Sequence, residues 1–103
     1  MNKSKPHYEL EKVKSLIRAG QYQVTMVAVT GGDLLGFKRK KAIAECVLTL
    51  ERSNFYKSMA SDRDHKEWMD VYHAIGPVGK HIYTKFSVVG DRAMVRIISF
   101  KEK

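Results

Sequence analysis

The first half of the chain has the apolar spacing of helices. Apolar residues recur three and four positions apart at Leu10, Val13, Leu16 and Ile17. This spacing predicts a helix over about residues 7–19, because positions three and four apart share one helical face. Pro6 is placed to begin that helix and Gly20 to end it.

The pattern is less regular over residues 21–37. Residues 21–25 are interpreted as a short strand and residues 26–29 as the start of a short helix that Gly31-Gly32 breaks. From Lys38 onward a second apolar stripe with helical period follows, at Ile43, Cys46, Val47 and Leu50. Helices are therefore predicted to predominate in the N-terminal half.

The second half has the pattern of strands. Residues 55–59 and 68–73 are short and rich in aromatic residues, and residues 82–88 alternate between apolar and polar side chains. Gly76-Pro77-Val78-Gly79 predicts a turn, and a last strand follows Gly90-Asp91. We predict an α+β fold, with N-terminal helices packed on a C-terminal antiparallel β-sheet, in one domain spanning residues 1–103.

The charge of the chain favours a polyanionic partner. Its 103 residues carry a formal net charge of +8, and phosphate contacts by Lys and Arg release counterions. A basic protein that is merely soluble is the alternative.

The single Cys46 excludes an internal disulfide and a cysteine metal cluster. No apolar run is long enough to span a membrane and no signal peptide is evident, so we expect a cytoplasmic location and no membrane partner.

Several lysines and a tyrosine in the second half have side chains suited to RNA cleavage without a metal. In that reaction the 2′-hydroxyl attacks its own phosphate, so one group must take a proton, one must stabilise the phosphorane and one must protonate the 5′-oxygen. Suitable side chains are Lys57, Tyr83, Lys85 and Lys101. Ordinary exposed lysines on strands are the alternative. His65 could move a proton or hydrogen-bond locally, and the histidines lack the spacing of a metal site.

Several segments together resemble the MqsR family of mRNA-interferase toxins from bacterial toxin–antitoxin pairs, whose fold is like that of the RelE toxins. The segments run in order over most of the chain: Pro6-His7, Val13-Lys14, Ala19-Gly20-Gln21, Phe55-Tyr56-Lys57-Ser58-Met59, Asp64-His65 with Trp68, Asp70-Val71-Tyr72, Tyr83 with Lys85, and Ser99-Phe100-Lys101-Glu102-Lys103. Any one of these segments alone would be a weak match.

The resemblance implies a ribosome-independent endoribonuclease that cuts single-stranded mRNA, preferentially at GC-containing triplets such as GCU, and needs no cofactor or metal. It implies catalytic roles for Lys57, Tyr83 and Lys101. The family has a glutamine where this chain has Met69, and a methionine side chain makes no comparable hydrogen bond. We expect altered RNA recognition, and we place Lys85, Met69 and His65 among the RNA-binding residues.

The same resemblance implies two further partners. A cognate antitoxin, similar to MqsA, should bind and restrain the chain, and operator DNA should be bound only through the antitoxin complex.

Lys85 and the Lys38–Lys41 cluster would hold backbone phosphates of the RNA. A non-catalytic nucleic-acid-binding module, or a regulator that acts only through a protein partner, could use the same basic surface.

The register of the last hairpin tests the catalytic hypothesis. A two-residue turn at Gly90-Asp91 would put Lys101 on the opposite side of the sheet from Tyr83. For the two to share a face, the connection must have an odd number of residues or a strand must carry a bulge. We predict such a loop or bulge, with Ile98 and Phe100 turned inward beside Phe86.

Overall fold

The computed structural model of the chain describes residues 2–61 and 67–103. The helices are α1 (Leu10–Arg18), α2 (Met26–Leu34) and α3 (Lys40–Leu48). The strands are β1 (Asn2–Lys3), β2 (Tyr22–Val24), β3 (Phe55–Ala60), β4 (Trp68–Ile75), β5 (His81–Val89) and β6 (Met94–Glu102). A short 3-10 turn at Arg52–Asn54 leads into β3.

Within the described residues the strands form one sheet in the order β1-β3-β4-β5-β6-β2. All neighbours are antiparallel except β2, which pairs in parallel with β6. The helices contribute Val13, Ile17, Ala28, Ile43 and Val47 to a core that they share with the sheet. The predicted α+β architecture is confirmed.

The core lies between the helices and one side of the sheet, here called the inner face. Buried strand residues in it are Tyr72, Ala74, Ile82, Phe86, Val95, Ile97 and Phe100. The Tyr72 and Phe86 rings stack with their centroids 5.4 Å apart. Because side chains alternate along a strand, the residues between these positions face away from the helices. We call that side the outer face.

Helix α1 begins later than predicted, at Leu10 rather than near residue 7. The backbone N–H groups of His7 and Tyr8 donate to the two carboxylate oxygens of the buried Asp70, at 3.0 and 2.9 Å. These donors are therefore bound to β4 and do not enter a helix.

The predicted break at Gly31-Gly32 is wrong, because α2 continues through both glycines to Leu34. A Cβ atom on Gly31 would overlap the carbonyl oxygen of Phe100, and one on Gly32 would lie 2.6 Å from Cδ1 of Ile43. The glycines allow α2 to approach β6 and α3 closely. Packing, rather than helix propensity, explains their presence.

The predicted bulge is confirmed in β6. Lys85 pairs with Ser99 but Phe86 pairs with Ile97, so Ile98 is an extra residue between the two pairs. The expectation for Ile98 is wrong, since Ile97 is fully buried and Ile98 is only half-buried. The extra residue changes the alternation of side chains, so that Ile97 and Phe100 both face inward.

None of the helices described here is long and apolar enough to cross a membrane.

Candidate active site

Three aromatic rings, one from each of three neighbouring strands, follow one another across the outer face. His73 of β4 pairs with Tyr83 of β5, and their ring centroids are 6.0 Å apart. On the other side of His73 the ring of Tyr56 stacks at 4.4 Å with an interplanar angle of 25°. Tyr56 reaches this position because β3 carries an irregularity between Phe55 and Lys57. We call Tyr56, His73 and Tyr83 the aromatic row.

A lysine lies at each end of the aromatic row. The Lys101 Nζ lies 5.2 Å from the ring centroid of Tyr83, the residue with which Lys101 pairs. At the opposite end the Lys57 Nζ lies 5.4 Å from the ring centroid of Tyr56. The two lysines are three strand spacings of about 4.8 Å apart. A cation thus lies near each outer ring of the aromatic row.

A second line of paired residues crosses the same face next to the aromatic row. Val71 of β4 pairs with Lys57 on one side and with Lys85 on the other, and Lys85 pairs with Ser99. Lys85 lies two residues from Tyr83 on β5, so both are on the outer face. The structure therefore places Lys57, Tyr83, Lys85 and Lys101 on one side of the sheet.

Met69 lies on the outer face but away from the aromatic row. It is two residues before Val71 on β4, pairs with Met59 and is only 7% exposed. It borders a groove of about 220 Å³ whose other lining residues are Ser61, Glu67, Arg96 and Ile98. Arg96 and Glu67 approach to 3.9 Å across this groove. His65 lies outside the described residues.

Two groups of the row have shifted pKa values. Burial, and then the neighbouring Tyr56, raise the pKa of the Tyr83 phenol. Burial, and then the positive charge of Lys103, lower the pKa of His73. At neutral pH the phenol of Tyr83 keeps its proton and the imidazole of His73 is uncharged.

Two sequence-based expectations lie elsewhere in the fold. The Lys38–Lys41 cluster is at the start of α3, in the layer of helices, and the Lys38 Nζ lies 3.1 Å from a carboxylate oxygen of Asp33. The Trp68 ring is half-buried, with His7 stacked at 5.5 Å and the Lys3 Nζ 3.9 Å from its centroid. Trp68 therefore packs against the N-terminal segment rather than offering an open face to a base.

Sequence reasoning did not identify Tyr56 and His73 as site residues. A signal for His73 was present, because the glycine-bounded turn at residues 76–79 can pair it with Tyr83 across the hairpin. No comparable signal existed for Tyr56. Regular alternation would put it on the face opposite Lys57, and only the irregularity in β3 brings both to the outer face.

Helix α2 and β5 position the strand that carries Lys101. The Thr25 hydroxyl donates to the Ile98 carbonyl at 2.7 Å, and the Thr84 hydroxyl donates to the Ser99 carbonyl at 3.0 Å. Gly31 lies directly against Phe100, and its Cβ position would be 3.2 Å from the Lys101 Cβ. The bulged segment of β6 is thus held from both sides.

Comparison with known proteins identifies relatives of this chain. Residues 5–102 match the family described as motility quorum-sensing regulator, toxin of MqsA. The mRNA interferase toxin MqsR of Escherichia coli (strain K12) is 40% identical over 103 residues, which is the full length of both chains.

Proposed function

The chain belongs to the family of motility quorum-sensing regulator toxins, and we propose that it is an endoribonuclease that cleaves mRNA by attack of the 2′-hydroxyl on the adjacent phosphate. The observation that carries this proposal is the pairing of Tyr83 with Lys101 on the face that also holds Lys57. The MqsR relative is by name an mRNA interferase toxin, which supports the same activity here.

Lys57 and Lys101 are the proposed stabilisers of the phosphorane. Each is an ammonium group at one end of the aromatic row, so negative charge that develops between them is attracted from both sides. Tyr83 is the proposed proton donor to the departing 5′-oxygen. Because burial and Tyr56 raise its pKa, the phenol holds its proton until an alkoxide forms beside it.

The outer face suits single-stranded RNA. Tyr56 is 54% exposed, so its ring can stack on an unpaired base. Lys85 would hold a neighbouring backbone phosphate. Met69 and the groove beside it would contact the base, and His65 would assist RNA binding from its own segment. The proposed substrate is single-stranded mRNA cut at GC-containing triplets such as GCU, independently of the ribosome and without a metal.

Cleavage of mRNA would inhibit translation and growth, so the proposed activity requires a restraint. The family description names a toxin of MqsA, and we propose that a similar antitoxin protein binds this chain. Operator DNA would be contacted only through that complex.

The test is incubation of the purified chain with a long transcript of known sequence in excess EDTA, followed by mapping of the cut sites. We expect discrete cuts, and a loss of at least about 10²-fold in rate in Lys57→Ala and in Tyr83→Phe. Lys12→Ala, which removes an exposed lysine of α1, is the matched control and should cut normally. Salt-dependent binding of intact RNA without cleavage would instead identify a non-catalytic binding module.

A further inference from the structure

The proposed catalytic set lacks a proton acceptor. Lysine and tyrosine side chains ordinarily hold their protons at neutral pH, with reference pKa values near 10. The proposed function assigns Lys57 and Lys101 to charge stabilisation and Tyr83 to proton donation, and attack by the 2′-hydroxyl also requires a group that removes its proton. A residue outside that set can supply this step.

His73 occupies the centre of the site. Its ring lies between Tyr56, at 4.4 Å, and Tyr83, at 6.0 Å. The lysines beyond these two rings are Lys57 and Lys101. A phosphodiester held between the two lysines would therefore lie over His73. The imidazole is half-buried rather than enclosed, so a nitrogen can contact a bound nucleotide.

Burial, and then the positive charge of Lys103, favour the unprotonated form of the His73 imidazole. Tyr56 faces it from β3, Tyr83 from β5, and Lys103 from the segment after β6. Burial and the Lys103 charge lower its pKa below the reference value of 6.5. The nearby Glu102 pairs with Ile82, a residue of the inner face, so it does not compete as a base on the outer face.

We propose that His73 is the general base of this site and accepts the proton of the attacking 2′-hydroxyl. This inference rests on the proposed function and assigns a role that the lysines and Tyr83 leave open. The O2′–H bond breaks and its proton moves to an imidazole nitrogen while O2′ forms a bond to phosphorus. The P–O5′ bond then breaks, and O5′ takes the phenolic proton of Tyr83. The products carry a 2′,3′-cyclic phosphate and a 5′-hydroxyl.

The residues return to their starting states without another reactant. The imidazolium of His73 loses its proton to water, and the phenolate of Tyr83 regains one from water. The substrate thus exchanges one P–O bond for another with no net change in protons or electrons. Stacking on Tyr56 fixes the plane of the imidazole, so that its nitrogen is held at one orientation towards the nucleotide.

The test compares His73→Phe with His81→Phe in the full chain, using a short RNA that contains one mapped cut site. Phenylalanine keeps a ring against Tyr56 but has no basic nitrogen. His81 is an exposed histidine at the start of β5, and its substitution should leave the rate unchanged. For His73→Phe we expect kcat/KM to fall about 10²–10⁴-fold, mainly through kcat.

A pH–rate profile and chemical rescue separate proton transfer from stacking. In the unsubstituted chain kcat/KM should fall at acid pH, below the reference histidine pKa of 6.5, as His73 becomes protonated. That acid limb should be absent from His73→Phe. Added imidazole should restore part of the activity of His73→Ala, since it can supply a free base in the space left beside Tyr56.

The possible results distinguish the general-base role of His73 from the nuclease activity itself. Activity of His73→Phe within a few-fold of the unsubstituted chain, or a loss confined to KM with the acid limb retained, would overturn the general-base role while leaving the nuclease proposal standing. If the unsubstituted chain cuts no RNA, both proposals fail. Thermal unfolding of each variant shows whether it is folded, and the imidazole rescue of His73→Ala provides a second test if His73→Phe is not.

Discussion

Replacement of Gly31 by alanine should destabilise the protein, although alanine is the better helix former. On propensity alone the substitution would stabilise α2 by about 1 kcal/mol. A Cβ at this position would overlap the Phe100 carbonyl oxygen and lie 3.1 Å from its carbonyl carbon. These are backbone atoms of a paired strand, so no side-chain rotation relieves the overlap, and overpacking of this kind costs about 1–3 kcal/mol or more.

Because the overlapped atoms are backbone, the cost should lie at the upper end of that range. The net expectation is a destabilisation of about 2 kcal/mol, which lowers Tm by about 8–16 °C in a domain of this size. Thermal unfolding followed by circular dichroism measures it. Thr30→Ala, at an exposed neighbouring position of α2, is the control and should not lower Tm. At temperatures where Gly31→Ala is still folded, its rate of RNA cleavage should also be lower than that of the unsubstituted chain, because β6 and Lys101 must move. An unchanged or raised Tm would refute the close-packing explanation of Gly31.

Two other predictions concern stability. Asp70→Ala should lower the urea midpoint and cost at least about 1–3 kcal/mol, because the buried carboxylate accepts the N–H groups of His7 and Tyr8; an unchanged midpoint would contradict this. Burial is the main cause that lowers the pKa of both His7 and His73, so the folded state binds fewer protons than the unfolded state below the reference pKa of 6.5. Stability should therefore decline as pH falls below about 6.5 through the two folded pKa values, and urea midpoints that stay level from pH 7.5 to pH 5 would refute this.

The elements predictable from sequence were those whose apolar pattern is local. The stripe from Leu10 to Ile17 and the alternation after residue 81 each depend on one element packing against the core. The start of α1 was predicted too early because it depends on Asp70, which is more than sixty residues away in the sequence. The local hydrophobic pattern contains no information about a carboxylate so far away in the sequence.

The same distinction explains the errors at the glycines and at the bulge. Gly31-Gly32 has the composition of a helix break, and only the proximity of β6 and α3 explains a continuous helix there. The bulge in β6 was predicted from the need to bring Tyr83 and Lys101 together. The position of the bulge within β6 was not predicted, so Ile98 was expected to face inward where the structure has Ile97.

In the candidate site, Lys57, Tyr83 and Lys101 were selected by residue type and by resemblance to a family. The structure places them on one face, while their catalytic roles remain proposals. Tyr56 and His73 were missed because their positions depend on the β3 irregularity and on the pairing of β4 with β5. Strand register is set by contacts between distant segments, so single-sequence patterns constrain it weakly.

The strand order has a consequence for protein synthesis. Strand β6 is made after the other strands yet lies inside the sheet, between β5 and β2. A nascent or truncated chain without β6 lacks Lys101, and the edge of β5 beside Tyr83 has no neighbour. Incomplete translation products would thus lack one of the two lysines that we propose stabilise the phosphorane. Toxicity would begin only after the ribosome has finished the strand that carries Lys101.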